Sequence, residues 1–561
     1  MRVRVLRIAL VLVLSAGGCT SFAGEHRPEP ADVRDVAATS VPDDRLTVIT
    51  DVDPVASAVS MSRTLFDRSP VVVVARDGDR AGTLLAASAA VGLGVPLLVE
   101  PRSGGTTDAL AAEIARLDAA TVLAVGEADG GAAGTTPDQG GSSPGRDVVV
   151  VPADAEAVAA ATGLSFEPSE PVSTHNDPAA VAALDPAAPV ALRLVDEPPP
   201  LPEGVGTGPL PEMDRAEPLL RTVVLATGES ASTAAIATAR AAGVTVALTR
   251  GETDPRTSEQ VLGTMTEAEP EAVIALGAGF AAEVGLDWKV DTAIGGTRLP
   301  GGGQVLFPGR LLVALYGHPG TAALGVLGEQ DLGGSIARAR AHASPFEALV
   351  DGPVVPAFEI IATVASSAPG ADGNYSAEAE AEELRQWVEA AGQAGLYVVL
   401  DLQPGRTDFL TQAQRYQGLL ELPHVGLALD PEWRLPPDGQ HLTQIGSVGV
   451  DEVNGVIAWL ADLTREKALP QKLLVLHQFQ LRMIDGRERL DTSRGELAVM
   501  VHADGQGSQG DKQATWRALH QNPPAGLFWG WKNFYDEDAP MLTPEQTMAD
   551  VRPRPDLISY Q

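Results

Sequence analysis

The chain has 561 residues, 44% of them hydrophobic, which exceeds one ordinary domain and predicts two or three with sizeable cores. Its 40 basic side chains against 74 acidic ones give a formal charge of -34, which repels phosphate backbones and argues against a nucleic-acid partner; the charge serves equally as a solubility device. The single cysteine excludes an intramolecular disulfide framework and a cysteine cluster for zinc.

That cysteine is Cys19. Arg2, Arg4 and Arg7 form a positive n-region, residues 8–14 a short apolar core, and Ser15, Ala16, Gly17 and Gly18 a run of small residues directly before it. Residues 1–18 therefore read as a secretory signal whose apolar core is too short to span a bilayer. The stretch resembles a bacterial lipoprotein signal, with Ala16 where that pattern usually has leucine. The resemblance implies lipidation of Cys19 and a body held on the extracytoplasmic face of the cell membrane by a lipid anchor; ordinary signal cleavage nearby is the other reading. Residues 19–45 are polar and proline-bearing, without helical or strand period, and read as a flexible tether.

From residue 46 the pattern alternates. Residues 71–74 read as a buried strand, 82–92 as an alanine-rich helix, 95–99 as a strand, 108–117 as a helix and 121–125 as a strand, the order that builds a parallel sheet covered by helices. The order returns about 150 residues later. VVVVARDGDRAGTLLAASAAVGLGVPLLVE, closing with TVLAVGEA, lies over TVVLATGESASTAAIATARAAGVTVALTRG, closing with AVIALGAG. An internal duplication over 46–292 explains this, as flavodoxin-like or Rossmann-like modules. The copies resemble the type 2 cell-wall-binding repeat of Gram-positive surface proteins, which implies attachment to a wall polymer. That family usually opens its first helix with an aspartate; here Arg80, Ala81 and Gly82 stand in one copy and residues 230–233 in the other, so no binding residue is carried over. A generic module without a retained ligand is the other reading. No GxGxxG or GxxxxGK[ST] motif supports nucleotide binding. Residues 130–145, 198–211 and 296–303 read as loops or linkers.

The third region, 305–561, has the usual size of a (β/α)8 barrel, about 250 residues. Eight strands are expected, at 311–315, 355–361, 397–400, 425–429, 472–476, 497–501, 527–531 and 557–560, with helical patterns at 378–391, 408–420, 451–467, 512–519 and 544–548. The crossover 480–496 is only weakly helical. Polar residues follow the strands directly, where the βα-loops of a barrel carry chemistry. In order they are Tyr316 and His318, Glu359, Asp401 and Gln403, Asp430 and Glu432, His477 and Gln478, His502 and Asp504, then Trp529, Trp531, Lys532 and Asn533.

The fourth strand, VGLAL, ends in Asp430, Pro431 and Glu432. On an extended chain the two acids share a face roughly 7 Å apart, which suits general acid/base work on a glycosidic bond; alternatively, Asp430 opens a surface turn before Pro431. GLALDPEW resembles the strand-four end of family 18 chitinase-like hydrolases, and family 25 muramidases also place D-x-E there. The resemblance implies Glu432 as the catalytic acid and Asp430 as its partner, orienting an acetamido group or stabilising charge. Val425 and Ala428 replace the earlier aspartates of the chitinase series.

Around this pair, Glu359, Asp401, His477, His502, Asp504, Trp433, Trp531 and Lys532 are the candidates for binding a substrate, with the tryptophans stacking on sugar rings or simply plugging the barrel mouth. His318, His477 and His502, with Glu359, Asp401 and Asp504, also offer zinc or manganese ligand types, but without a His-x-His pair or HExxH helix; hydrogen-bonding roles are the competing reading. The expected protein is a lipid-anchored surface protein that binds cell-wall polysaccharide or peptidoglycan and carries a glycoside-hydrolase-like barrel, with no cofactor and no metal. A non-catalytic wall-binding scaffold and a metal-dependent hydrolase are the alternatives.

Overall fold

The computed structural model describes residues 36–130, 146–194, 209–441 and 444–561. The signal stretch, Cys19 and most of the tether lie outside these residues, as do most positions of the expected linkers 130–145 and 198–211. The end of the expected tether is ordered: Ala38–Thr39 pairs antiparallel with Phe66–Arg68, and Ser40 Oγ donates to Asp67 at 2.9 Å.

Two four-stranded parallel sheets follow the expected duplication. The first runs Leu97–Glu100, Val71–Arg76, Thr121–Val125 and Asp147–Val151, and the second Thr245–Leu248, Thr222–Ala226, Ala272–Leu276 and Leu46–Ile49. The two copies differ in origin of the fourth strand. In the first sheet it follows in sequence; in the second it is Leu46–Ile49, from the N-terminal side of the other module. Sequence reading missed both fourth strands.

The helices Pro54–Leu65 and Arg80–Leu93 both pack against Thr233–Ala241 between the sheets, so both modules share one apolar core. Alanine makes this possible, since small side chains let helix surfaces approach closely. Thr238 Oγ1 bridges the modules by donating to the Leu97 carbonyl at 3.1 Å and accepting from the Leu97 N–H at 3.0 Å. Where the first sheet reverses its strand order, the usual ligand crevice of such folds is taken by the protein itself. Asp79 caps the helix at the Gly82 N–H, 2.9 Å, and accepts from the Glu127 N–H at 2.8 Å. A side chain at Gly126 would meet Asp79 at 2.1 Å, so glycine is required there.

The C-terminal region is a closed barrel of eight parallel strands: Leu311–Gly317, Val354–Ala365, Tyr397–Leu402, Val425–Leu429, Lys472–Gln478, Leu497–Ala503, Phe528–Asn533 and Leu557–Tyr560. The first strand pairs with both the second and the last, which closes the ring. All eight expected strands are present. The helix Leu332–Ala343, after the first strand, was missed, and the crossover after the fifth holds the short turns Leu481–Met483 and Arg487–Arg489 and the two-residue strand Ile484–Asp485, which pairs with Val448–Gly449.

Alternation along the strands sets the interior. Leu312, Ala314, Val355, Ala357, Tyr397, Val399, Ala428, Leu473, Val475, Ala498, Met500 and Leu557 fill its lower part, closed beneath by Leu299, Leu306 and Phe307. Two residues further along the same inward rows, the side chains become Glu359, Asp401, Asp430, His477 and His502. The barrel is thus oily below and ionisable above.

Candidate active site

The site is built where the inward rows reach the C-terminal strand ends. Val425–Leu429 is wholly buried and stops at Asp430, whose Oδ1 accepts from the Glu432 N–H at 3.1 Å and opens a 3-10 turn, Pro431–Trp433. Glu432 therefore reaches the barrel mouth from a turn, not from an extended strand. Asp430 opens the turn and faces the interior at once.

A cleft of about 500 Å³ opens over this point. Asp430, Glu432, Trp433, Asp504 and Lys532 all line it, and so do Tyr316, Gln403, Phe479 and Phe534. Five expected site residues thus meet around one concavity.

Four others lie beneath it. Glu359, Asp401, His477 and His502 are fully buried, so they are not placed to touch a ligand in the cleft as expected, and instead support those that are. His477 Nε2 lies 2.8 Å from Glu359 Oε1, and its Nδ1 lies 3.1 Å from Asp504 Oδ2. Lys532 pairs with Asp504 at 3.1 Å. Tyr316 donates its hydroxyl to Asp401 at 2.8 Å and accepts from the Gln403 amide at 3.3 Å. His502 Nε2 meets Ser559 Oγ at 3.2 Å.

Trp531 is misplaced as a ligand-binding residue. Lys532 points inward, so its strand neighbour must point outward, and Trp531 packs at 1% exposure against Val501, Ala503, Trp516 and Leu542. Trp433 is half-buried on the cleft wall, with the His441 ring 5.4 Å away. His318 sits on a turn and accepts from the Gly320 N–H at 2.9 Å, apart from the buried histidines. Sequence reading noted Tyr316 and Gln403 but did not select them; their inward parity with Glu359 and Asp401 was the available signal.

The carboxyls fall into two groups. Burial pushes Asp430 well above the usual range, and neighbouring Asp401 and Asp504 add to this against the opposing pull of His477. Burial also raises Glu432, reinforced by Asp504, and lifts Asp401 to about 6. Asp504 is driven the other way: burial opposes its charge, but Lys532 and His477 hold it well below the ordinary carboxylate. Glu359 is likewise lowered against burial by His477. Among the histidines, burial lowers His502 to about 4, whereas Glu359 and Asp504 overcome burial and raise His477 well above the ordinary imidazole. Asp430 and Glu432 therefore hold their protons to higher pH than ordinary carboxyls, beside an Asp504 that ionises more readily. Environments that separate neighbouring acids in this way provide a donor and a base in one site.

No protein-family description matches the sequence, and no curated protein matches it. Among solved structures, "Cwp6 from Clostridium difficile" is similar over 79% of this chain and 63% of that one, at 10% identity and a TM-score of 0.30. This chain spans less than two thirds of that structure.

Proposed function

We propose that the barrel is a glycoside hydrolase acting on wall carbohydrate, carried by a lipid-anchored surface protein whose paired α/β modules hold cell-wall polymer. One observation carries the enzymatic reading: Asp430, Glu432 and Asp504 line one cleft in opposite protonation tendencies. Glu432, at the mouth, protonates the leaving glycosidic oxygen. Asp504, kept ionised by Lys532, faces the positive charge that develops on the sugar ring, and Asp430 donates a hydrogen bond to the substrate. Trp433, Phe479 and Phe534 supply apolar faces for sugar rings. Replacing Glu432 by Gln keeps the shape and removes the proton. Cleavage of purified peptidoglycan or chitooligosaccharides by the full chain is expected to fall at least 100-fold, while circular dichroism stays unchanged. Equal turnover by Glu432→Gln refutes the assignment.

A second reading, a non-catalytic wall-binding scaffold, draws on Val425 and Ala428 standing where the resembled hydrolases carry further aspartates. Sedimentation with peptidoglycan and no cleavage by the wild-type chain supports it. Absence of sedimentation with peptidoglycan excludes it.

A further inference from the structure

We propose that the barrel binds one divalent transition-metal ion of the zinc and manganese class beneath the cleft, through Glu359, Asp401, His477 and His502. The ligand-type atoms of Glu359, His477 and His502 all lie within 4.8 Å of one another. Glu359 Oε2, Asp401 Oδ1 and His502 Nδ1 are buried and have no hydrogen-bond partner. Orphaned buried acceptors are costly, and here two of them, on Glu359 and His502, belong to the converging trio while the third, Asp401 Oδ1, borders it through His477. Glu359 Oε2 is 3.9 Å from His502 Nδ1, and Asp401 Oδ1 is 3.9 Å from His477 Nε2. Ligands about 2.1 Å from a tetrahedral ion stand roughly 3.4 Å apart, so each of these two pairs closes by about half an ångström on binding.

The outer contacts are those a metal site uses. His477 offers Nε2 while Asp504 holds its Nδ1 at 3.1 Å, His502 offers Nδ1 while Ser559 holds its Nε2 at 3.2 Å, and Tyr316 fixes the other oxygen of Asp401 at 2.8 Å. Two imidazoles with two carboxylates suit zinc or manganese better than calcium or magnesium, which prefer oxygen alone. Formal charge agrees: Glu359, Asp401 and Asp504 crowd a space in which Lys532 is the permanent cation, and once His477 releases its proton a dication offsets the excess. On binding, His477 Nε2 exchanges its contact with Glu359 for the ion and its proton leaves to solvent.

This goes beyond the carbohydrate reading and stands apart from it, since Glu432 is not a ligand. The full-length chain, stripped with EDTA and titrated with Co²⁺, is expected to take up one equivalent with visible d–d absorption that added Zn²⁺ abolishes. Glu432→Gln should bind equally. Ser559→Ala should weaken binding about 10-fold and His502→Gln about 100-fold. No stoichiometric uptake by the wild-type chain overturns the proposal, as does unchanged uptake by His502→Gln, which would mark adventitious binding to an acidic surface. If His502→Gln does not fold, the wild-type stoichiometry and Ser559→Ala decide, and wild-type strength in Ser559→Ala counts against the site. Failure here leaves glycan cleavage untouched, and the converse also holds.

Discussion

Lys532 lays its ammonium 3.6 Å from the centre of the Tyr316 ring and 3.1 Å from the Asp504 carboxylate, with almost no water reaching either end of the contact. Together with His477 it keeps Asp504 charged against its burial. Lys532→Met leaves that carboxylate buried and uncompensated on one side, and removing one partner of such a pair costs about 3–5 kcal/mol. Urea denaturation should show a loss of that order, and Lys532→Met combined with Asp504→Asn should be more stable than Lys532→Met alone. A double variant no better than the single would mean that the pair is not what the lysine serves.

Much of the barrel was legible because its strands are fully apolar runs that stop at a charged residue. Val425–Leu429, for example, is bounded by Asp430. Parity is legible too: adjacent strand residues cannot face the same way, so Trp531 and Lys532 cannot both enter one cleft. The helix Leu332–Ala343 escaped because it opens on Gly333 and Gly334, both weak helix formers. The strand Leu46–Ile49 escaped because its partner, Ala272–Leu276, lies more than two hundred residues away. Local pattern holds no trace of that pairing. Burial depth was equally invisible, since nothing in the spacing of Glu359 or His477 says whether they line a cleft or support its floor.

The two tryptophans should separate cleanly. Trp531→Ala empties a packed site between the barrel wall and the helix Gln509–Leu519, a change that costs about 3–5 kcal/mol, with little effect on affinity in the folded fraction. Trp433→Ala removes a half-buried cleft wall. Its stability should change by less than about 1 kcal/mol, while glycan affinity falls about 10-fold. Denaturation midpoints and calorimetric titration with an oligosaccharide check both. Equal stability losses would refute the division.

The acid role of Glu432 fixes the direction of a pH profile. Its carboxyl is raised by burial and by Asp504, so it keeps its proton above the ordinary glutamate range. A general acid works only while protonated. Then kcat/KM for glycan cleavage should be retained at low pH and lost as pH rises through that raised value, placing the alkaline limb above about 4.3. A rate that climbs steadily with pH would make Glu432 a base instead.

Lys472 supplies a stability signature independent of the cleft. It is buried at the lower end of the fifth strand, where its Nζ donates to the carbonyls of Leu422 at 2.8 Å and Val425 at 2.9 Å, and burial lowers its pKa to about 7. In the unfolded chain the amine keeps its proton to about 10.4. Between these values the unfolded state binds the additional proton, so folding becomes more favourable as pH rises. Below pH 7 both states are protonated and the full cost of the buried charge applies. The stability of the wild type relative to Lys472→Met should therefore improve from pH 7 towards pH 10 and stay level from pH 5 to 6.5. A gap that ignores pH would show that the two carbonyls offset the charge completely.

The exchanged strand makes the last expectation counterintuitive in sequence terms. Ile49 adjoins the first module in the chain, yet it sits in the second sheet, where Leu46–Ile49 covers Ala272–Leu276. Its side chain is only 5% exposed and packs in the apolar core that both modules share. Ile49→Ala should cost about 2–5 kcal/mol by opening a cavity at the edge of that second sheet. Hydrogen exchange would locate the damage: amides of Ala272–Leu276 should lose protection first, while those of Val71–Arg76, only some twenty residues from the substitution, keep theirs. If protection falls equally in both sheets, the modules unfold as one cooperative unit through the shared helices, and the strand exchange is a detail of connection without energetic independence.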